Sequence, residues 1–206
     1  MRTLIQLFLD MPDEQAALAL VDEVVDLVDA VEVGRPLYRI GGPALARACH
    51  ERAGGKPLIL PYRPGESLSD LMEIGAAGLT VPGEGADEVT AARVEEARGR
   101  GLRVLLDLRS VMEPTEVVTK ADLVRPDLAV LKVTPALGEC AQAIGSRGVP
   151  LGLAADVDLA RVPWLLSFHP RALLVGPLVS EAPKRRHMIE AVRARIDLAP
   201  SMRAFY

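Results

Sequence analysis

Residues 4–34 read LIQLFLDMPDEQAALALVDEVVDLVDAVEVG, and the fold follows from how the pattern changes along them. The first run, LIQLFLD (4–10), is apolar at nearly every position, as a strand buried on both faces must be. The next, DEQAALALVDEVVDLV (13–28), places apolar residues at i, i+3, i+4 and i+7 with charges on the opposite side, which is an amphipathic helix. Asp13, after Pro12 and before Glu14 and Gln15, marks its start. AVEVG (30–34) is again short and apolar. Strand, helix and strand in this order make one βαβ unit and imply parallel pairing.

The same alternation continues outward. Further strand runs are PLILP (57–61), GLTVP (78–82), RVLLDL (103–108), LAVLKV (128–133), LGLAAD (151–156) and ALLVG (172–176), with helical patterns such as ADEVTAARVEEARGRG (86–101) between them. The last run is followed by the helix KRRHMIEAVRARI (184–196). Gly75, Gly78, Gly101 and Gly148 fall just before strands, where helices end in a left-handed residue. Eight such units in 206 residues predict one α/β domain over residues 1–206, a (β/α)8 TIM barrel. The competing architecture is an open doubly wound sheet with a phosphate-binding first loop. That loop here is Asp10-Met11-Pro12-Asp13, with no glycine and two acids, so the dinucleotide fingerprint is missing. The tail 198–206, LAPSMRAFY, is expected to be a surface extension or an interface arm.

Composition narrows the function classes. Half the residues are apolar, yet no run approaches the ~20 that would span a bilayer, so no membrane partner is expected. The N-terminal apolar stretch is stopped by Asp10 and reads as a first strand, not a signal peptide. A net charge of −4 and 3% aromatic residues leave no basic or stacking face, and nucleic acid is not expected as a partner. Cys49 and Cys140 lack motif spacing, which suggests a reducing cytoplasm and no thiolate metal site. His50, His169 and His187 share no ligand spacing, and Ser67 and Ser110 lack a placed histidine and acid. Lys184-Arg185-Arg186-His187 reads as a solvated helix face.

In a (β/α)8 barrel the chemistry sits at the C-terminal ends of the strands. Those ends carry Asp10, Glu32, Tyr62 or Arg63, Asp107, Lys132 and Asp156. Polar residues ending otherwise apolar runs are not what packing selects, because a buried charge costs several kcal/mol unless paired or hydrated. Helix capping competes as an explanation for Asp107 and Asp156. Glu32 and Lys132 lie within the strand runs, which favours a functional reading. Lys132 is expected to point into the barrel mouth, within reach of Glu32 and Asp10 directly or through substrate or metal.

Gln6-Leu7-Phe8-Leu9-Asp10, Val31-Glu32-Val33-Gly34-Arg35-Pro36-Leu37 and Val104-Leu105-Leu106-Asp107-Leu108 resemble strands one, two and five of the 3-hexulose-6-phosphate synthases and 3-keto-L-gulonate-6-phosphate decarboxylases. These belong to the orotidine-monophosphate decarboxylase superfamily. The resemblance implies a homodimer, a sugar-phosphate substrate, an enediolate intermediate made by aldol cleavage or decarboxylation, and Mg2+ held partly by Glu32. Charge of that kind, developing on a carbonyl oxygen, needs a nearby cation. Dimer contact is expected through the C-terminal barrel faces, with Leu60, Leu68 and Met72 exposed around the third loop.

The departures bear equally on function. After strand three the family carries Asp-x-Lys-x-x-Asp; this chain has Pro61-Tyr62-Arg63-Pro64-Gly65-Glu66-Ser67. Arg63 cannot replace a lysine as proton donor, because guanidinium stays protonated. The family's histidine region after strand six is Lys132-Val133-Thr134 here. Its glycine-rich phosphate loops are replaced by Ala154-Ala155-Asp156-Val157-Asp158 and Gly176-Pro177-Leu178, a poor anion cradle that Ser180 or Lys184 would have to supplement. The expected site is therefore Lys132, Glu32, Asp10 and Asp107 for catalysis, with Arg63, Tyr62, Asp156 and Ser180 on the substrate. Three functions stay open: a divergent lyase on a small polar, sugar-like or carboxylated substrate, a catalytically silent binding or scaffold barrel, and an isomerase or epimerase on the same fold.

Overall fold

A computed structural model of the chain describes residues 2–84, 86–111, 113–154, 159–176 and 185–202. Eight strands alternate with helices: β1 (Leu4–Leu9), α1 (Glu14–Val24), β2 (Ala30–Val33), α2 (Arg35–Arg52), β3 (Leu58–Pro61), α3 (Leu68–Ile74), β4 (Ala76–Pro82) and α4 (Glu88–Gly99). The second half runs β5 (Arg103–Asp107), α5 (Pro114–Val124), β6 (Leu128–Lys132), α6 (Leu137–Gly145), β7 (Leu151–Ala154), α7 (Val162–Leu166), β8 (Ala172–Val175) and α8 (Arg185–Met202). The strands close in chain order, each parallel to the next and β8 to β1. The molecule is a TIM barrel, as the alternation of patterns predicts.

Two apolar layers hold it together. Outward strand residues such as Leu7, Val31, Leu60, Leu106 and Leu173 pack against the helices in one large buried cluster. Inward residues Ala30, Ile59, Leu105, Leu128, Val130, Ala154, Ala172 and Leu174 fill the lumen in a second, smaller one. This inside–outside alternation on strands covered on both faces is why each run reads as continuously apolar.

Local signals set the helix ends. The Asp13 carboxylate accepts the Ala16 N–H at 3.0 Å, and Asp87 accepts that of Thr90 at 2.8 Å. Both satisfy first-turn donors that the helix leaves orphaned. Gly75 closes α3 at φ 96°, where a side chain would be strained. Gly101 and Gly148 also have positive φ, but Gly78 does not. It lies within β4, which begins two residues earlier than the apolar pattern suggests. Residues 198–202 of the expected extension continue α8, and residues 203–206 lie outside the described residues.

The apolar patch expected for dimer contact is largely inside. Leu60 and Leu68 belong to the helix-side core, because outward strand positions and the inner face of α3 meet there. Met72, 42% exposed, is what remains at the surface.

Candidate active site at the barrel mouth

The inward parity that fills the lumen with apolar residues also carries polar ones towards the C-terminal end. On β1 the inward positions after Leu4 are Gln6 and Phe8, followed by Asp10; on β2 they are Ala30 and Glu32; on β4, Thr80; on β5, Leu105 and Asp107. Pairing register places Phe8 opposite Glu32 and Pro61 opposite Thr80. Glu32 is therefore surrounded by side chains from three strands, with 2% of its surface exposed.

Both its carboxyl oxygens are engaged. The Thr80 hydroxyl donates to Oε1 at 2.6 Å, and the Gln6 amide donates to Oε2. Burial pushes the Glu32 pKa up to about 7, against the opposing pull of the Thr80 hydroxyl and the Arg109 charge. A carboxyl poised there exchanges protons readily near neutrality.

Beside it lies an ion pair. Arg109 donates from Nε to Asp107 Oδ1 at 2.8 Å and from Nη2 to Oδ2 at 2.7 Å, and its backbone N–H reaches Oδ1 at 3.1 Å. The Arg109 guanidinium carbon also sits 4.3 Å over the ring of Phe8. Burial opposes ionisation of Asp107, but the bonds and charge of Arg109 outweigh it and hold the carboxyl below its ordinary value. Asp107 is thus a fixed anion while Glu32 is a proton-exchanging one. A cavity of about 260 Å³ connects Phe8, Asp10, Glu32, Arg35, Asp107 and Arg109.

The structure brings Glu32, Asp10 and Asp107 together and leaves Lys132 apart. Lys132 ends β6 exposed, and it pairs with no carboxylate among the described residues. The cation beside Glu32 is Arg109 instead. Asp107 lies opposite Val130 of β6, and Lys132, two residues further along that strand, pairs with Ala154 of β7 and ends exposed. Tyr62 turns outward and packs against the helix-side core, so it does not line the mouth. Arg63 is exposed and lies 5.7 Å over the Tyr38 ring. Asp156, Ser180 and Lys184 lie outside the described residues.

Gln6, Thr80 and Arg109 complete the site, and none of them is an ionisable residue ending an apolar run. The signal for all three is parity. Gln6 and Thr80 interrupt apolar runs at inward positions, and Arg109 continues the inward face of β5 past its end.

The Mg2+ that the resemblance implies does not fit this donor set. Mg2+ seeks an octahedron of oxygen ligands, whereas Glu32 faces two hydrogen-bond donors and Asp107 is chelated by a guanidinium. Among the described residues no group of three His, Cys, Asp or Glu side chains converges on a metal position, and none of the helices is long and apolar enough to cross a membrane. Of the basic run at the start of α8, Arg186 is bound to Asp26 and Glu190 as a surface ion-pair network.

Fold and site define the class: a (β/α)8 barrel with a buried carboxyl and a guanidinium–carboxylate pair at its C-terminal mouth. No protein-family profile matches the chain. Its sequence is similar to 3-hexulose-6-phosphate synthase of Staphylococcus aureus (strain NCTC 8325 / PS 47), with 28% identity over 113 residues, 53% of this chain and 54% of that one. The chain thus matches about half the length of these curated relatives. Its fold is similar to that of 3-hexulose-6-phosphate synthase from Salmonella typhimurium (TM-score 0.79, 21% identity, 96% of this chain and 100% of that one). It is equally similar to that of 3-keto-L-gulonate-6-phosphate decarboxylase from Vibrio cholerae (TM-score 0.79, 18% identity, 96% and 98%). These are the proteins whose strand motifs the sequence resembles.

Proposed function

We propose that the chain is a lyase-type enzyme that makes or breaks a carbon–carbon bond next to a carbonyl, on a small polar, sugar-like or carboxylated substrate. The observation that carries this reading is the juxtaposition of Glu32, a buried carboxyl with its pKa near 7, and Arg109, a guanidinium held in place by Asp107 and Phe8. The names of the similar proteins, a synthase and a decarboxylase of sugar phosphates, support it.

The chemistry divides between the two groups. In aldol cleavage the ionised Glu32 accepts the proton of the hydroxyl on the departing carbon. The electron pair of the broken bond moves to the neighbouring carbon and its carbonyl oxygen, giving an enediolate. Arg109 has N–H groups beyond those bound to Asp107, and these meet the developing oxyanion. A preorganised donor of this kind is worth ~10²–10³ in rate. Glu32 then returns the proton to carbon. Arg109 thereby occupies the role that a divalent cation plays in other oxyanion sites, and no step needs a metal. To Lys132, exposed at the end of β6, we assign contact with a polar group of the substrate that extends out of the mouth.

Deuterium exchange tests the reading. Dihydroxyacetone, hydroxypyruvate and ribulose 5-phosphate are incubated with the protein in D2O, and the C–H bonds next to the carbonyl are followed by proton NMR. Enzyme-dependent exchange that disappears in Glu32→Gln is expected. No exchange above background with any of the three would return the chain to the silent-barrel reading.

A further inference from the structure

A second concavity, of about 310 Å³, opens beside the carboxylate cavity and is lined by Arg35, Pro36, Arg39, Pro61 and Arg63. The two share Arg35, Pro36 and Pro61, so they are continuous across the ends of β2 and β3. Three arginines on one small concavity is an uneven arrangement for a chain of net charge −4. Arg35 and Arg39 are one helical turn apart, where like charges cost ~0.2–0.5 kcal/mol. Among the described residues none of the three is in an ion pair, although nine other arginines are.

The surroundings keep these charges available. Of the acids nearby, Glu66 accepts the Tyr38 hydroxyl on Oε1 at 2.6 Å, and Asp107 is held by Arg109. The Tyr38 ring is fully buried and supports the Arg63 guanidinium on its face. Arg35 lies close enough to Asp107 to help keep that carboxyl ionised, which ties the arginine group to the proposed reaction centre. Guanidinium groups present planar forks that match carboxylate and phosphate oxygens.

We infer that Arg35, Arg39 and Arg63 form an oxyanion subsite that holds a phosphate or carboxylate group at the far end of the substrate. The inference rests on the lyase reading in one respect, that the reacting carbon lies between Glu32 and Arg109. A substrate seated there reaches the arginines through the shared wall of Arg35, Pro36 and Pro61. The subsite lies on the β2–β3 side of the mouth. The chain segments after β7 and β8 instead offer Asp156, Asp158 and Pro177, two like charges for an anion and a residue without an N–H.

Calorimetric titration of the full chain with inorganic phosphate and, separately, with malonate at low ionic strength tests it. Saturable binding of at least one anion is expected, weakened about tenfold or more by Arg35→Gln or Arg63→Gln, as loss of one charge-assisted bond predicts. Glu32→Gln is expected to leave this affinity unchanged. Preference for phosphate identifies a phosphate ester as substrate, and preference for malonate a carboxylate. The three arginines are exposed, so circular dichroism should show the variants folded. Absence of saturable binding, or equal binding by a triple Arg35→Gln, Arg39→Gln, Arg63→Gln variant, overturns the subsite. Loss of anion binding in Glu32→Gln likewise overturns its placement. Anion binding without deuterium exchange would leave the subsite standing and remove the lyase reading.

Discussion

Arg109 places its guanidinium carbon 4.3 Å above the ring of Phe8, so that a cation at the barrel mouth rests on an apolar face from the neighbouring region of β1. The same guanidinium closes two hydrogen bonds on Asp107. Ring and carboxylate together leave it little freedom, which a group that must meet a developing negative charge requires.

Arg109→Met removes that cation and strands Asp107. Both side chains keep a fifth to a quarter of their surface in solvent (25% and 20%). The expected loss in urea unfolding is therefore about 1–3 kcal/mol, below the 3–5 of a fully buried pair. Adding Asp107→Asn should recover part of it, and a double-mutant cycle reads the coupling directly. Additive effects of the two changes would mean that the pair contributes no net stability.

Glu32 should leave a mark on the pH dependence of stability. Its carboxyl ionises at about 7 in the folded chain, against an ordinary value of 4.5. The folded state thus holds the proton more tightly, and stability falls as pH rises from about 4.5 to 7 and then levels off. The total change is of order 3 kcal/mol. In Glu32→Gln this component is gone, so the stability of the variant relative to wild type should climb across that window. A constant difference from about pH 4 to 8 would show that folding leaves the Glu32 carboxyl at its ordinary value.

Condensation of formaldehyde with ribulose 5-phosphate is expected to be absent or at trace level. The stretch Pro61–Ser67 lacks the first aspartate and the lysine of the motif that the resemblance implies after strand three, and single charge stabilisers contribute ~10²–10³ each. Robust product formation in a coupled assay would contradict this.

Lys132 is exposed and without an ion pair among the described residues. Lys132→Met should therefore shift stability by no more than ~0.5 kcal/mol. If the side chain meets substrate at the rim, enzyme-dependent deuterium exchange falls at an unchanged melting temperature. Unaltered exchange kinetics would remove Lys132 from the site.

We expect the chain to be a homodimer joined through the C-terminal faces of its barrels, with Met72 in or beside the contact. Light scattering at micromolar concentration should give twice the chain mass, and Met72→Asp should shift the population towards monomer. A monomeric mass for the wild type would exclude this assembly.

The eight strands, the helices between them and the ionisable character of the mouth are all legible along the chain. These are local properties: a run apolar on both faces, an apolar stripe at helical period, a carboxylate within or at the end of a strand. Glu32 and Asp107 were legible for that reason, and parity alone would have added Gln6, Thr80 and Arg109. Which of these side chains meet depends on how the barrel closes. Closure of the barrel gathers Gln6 and Thr80 on Glu32 and Arg109 on Asp107 and Phe8, and leaves Lys132 exposed, so Arg109 became the cation of the site. Outward parity and the inner face of α3 likewise buried Leu60 and Leu68, which a reading of loop position had placed at the surface. These meetings join strands that lie far apart in sequence, and the periodicity of a single strand carries no information about which other strand its side chains will reach.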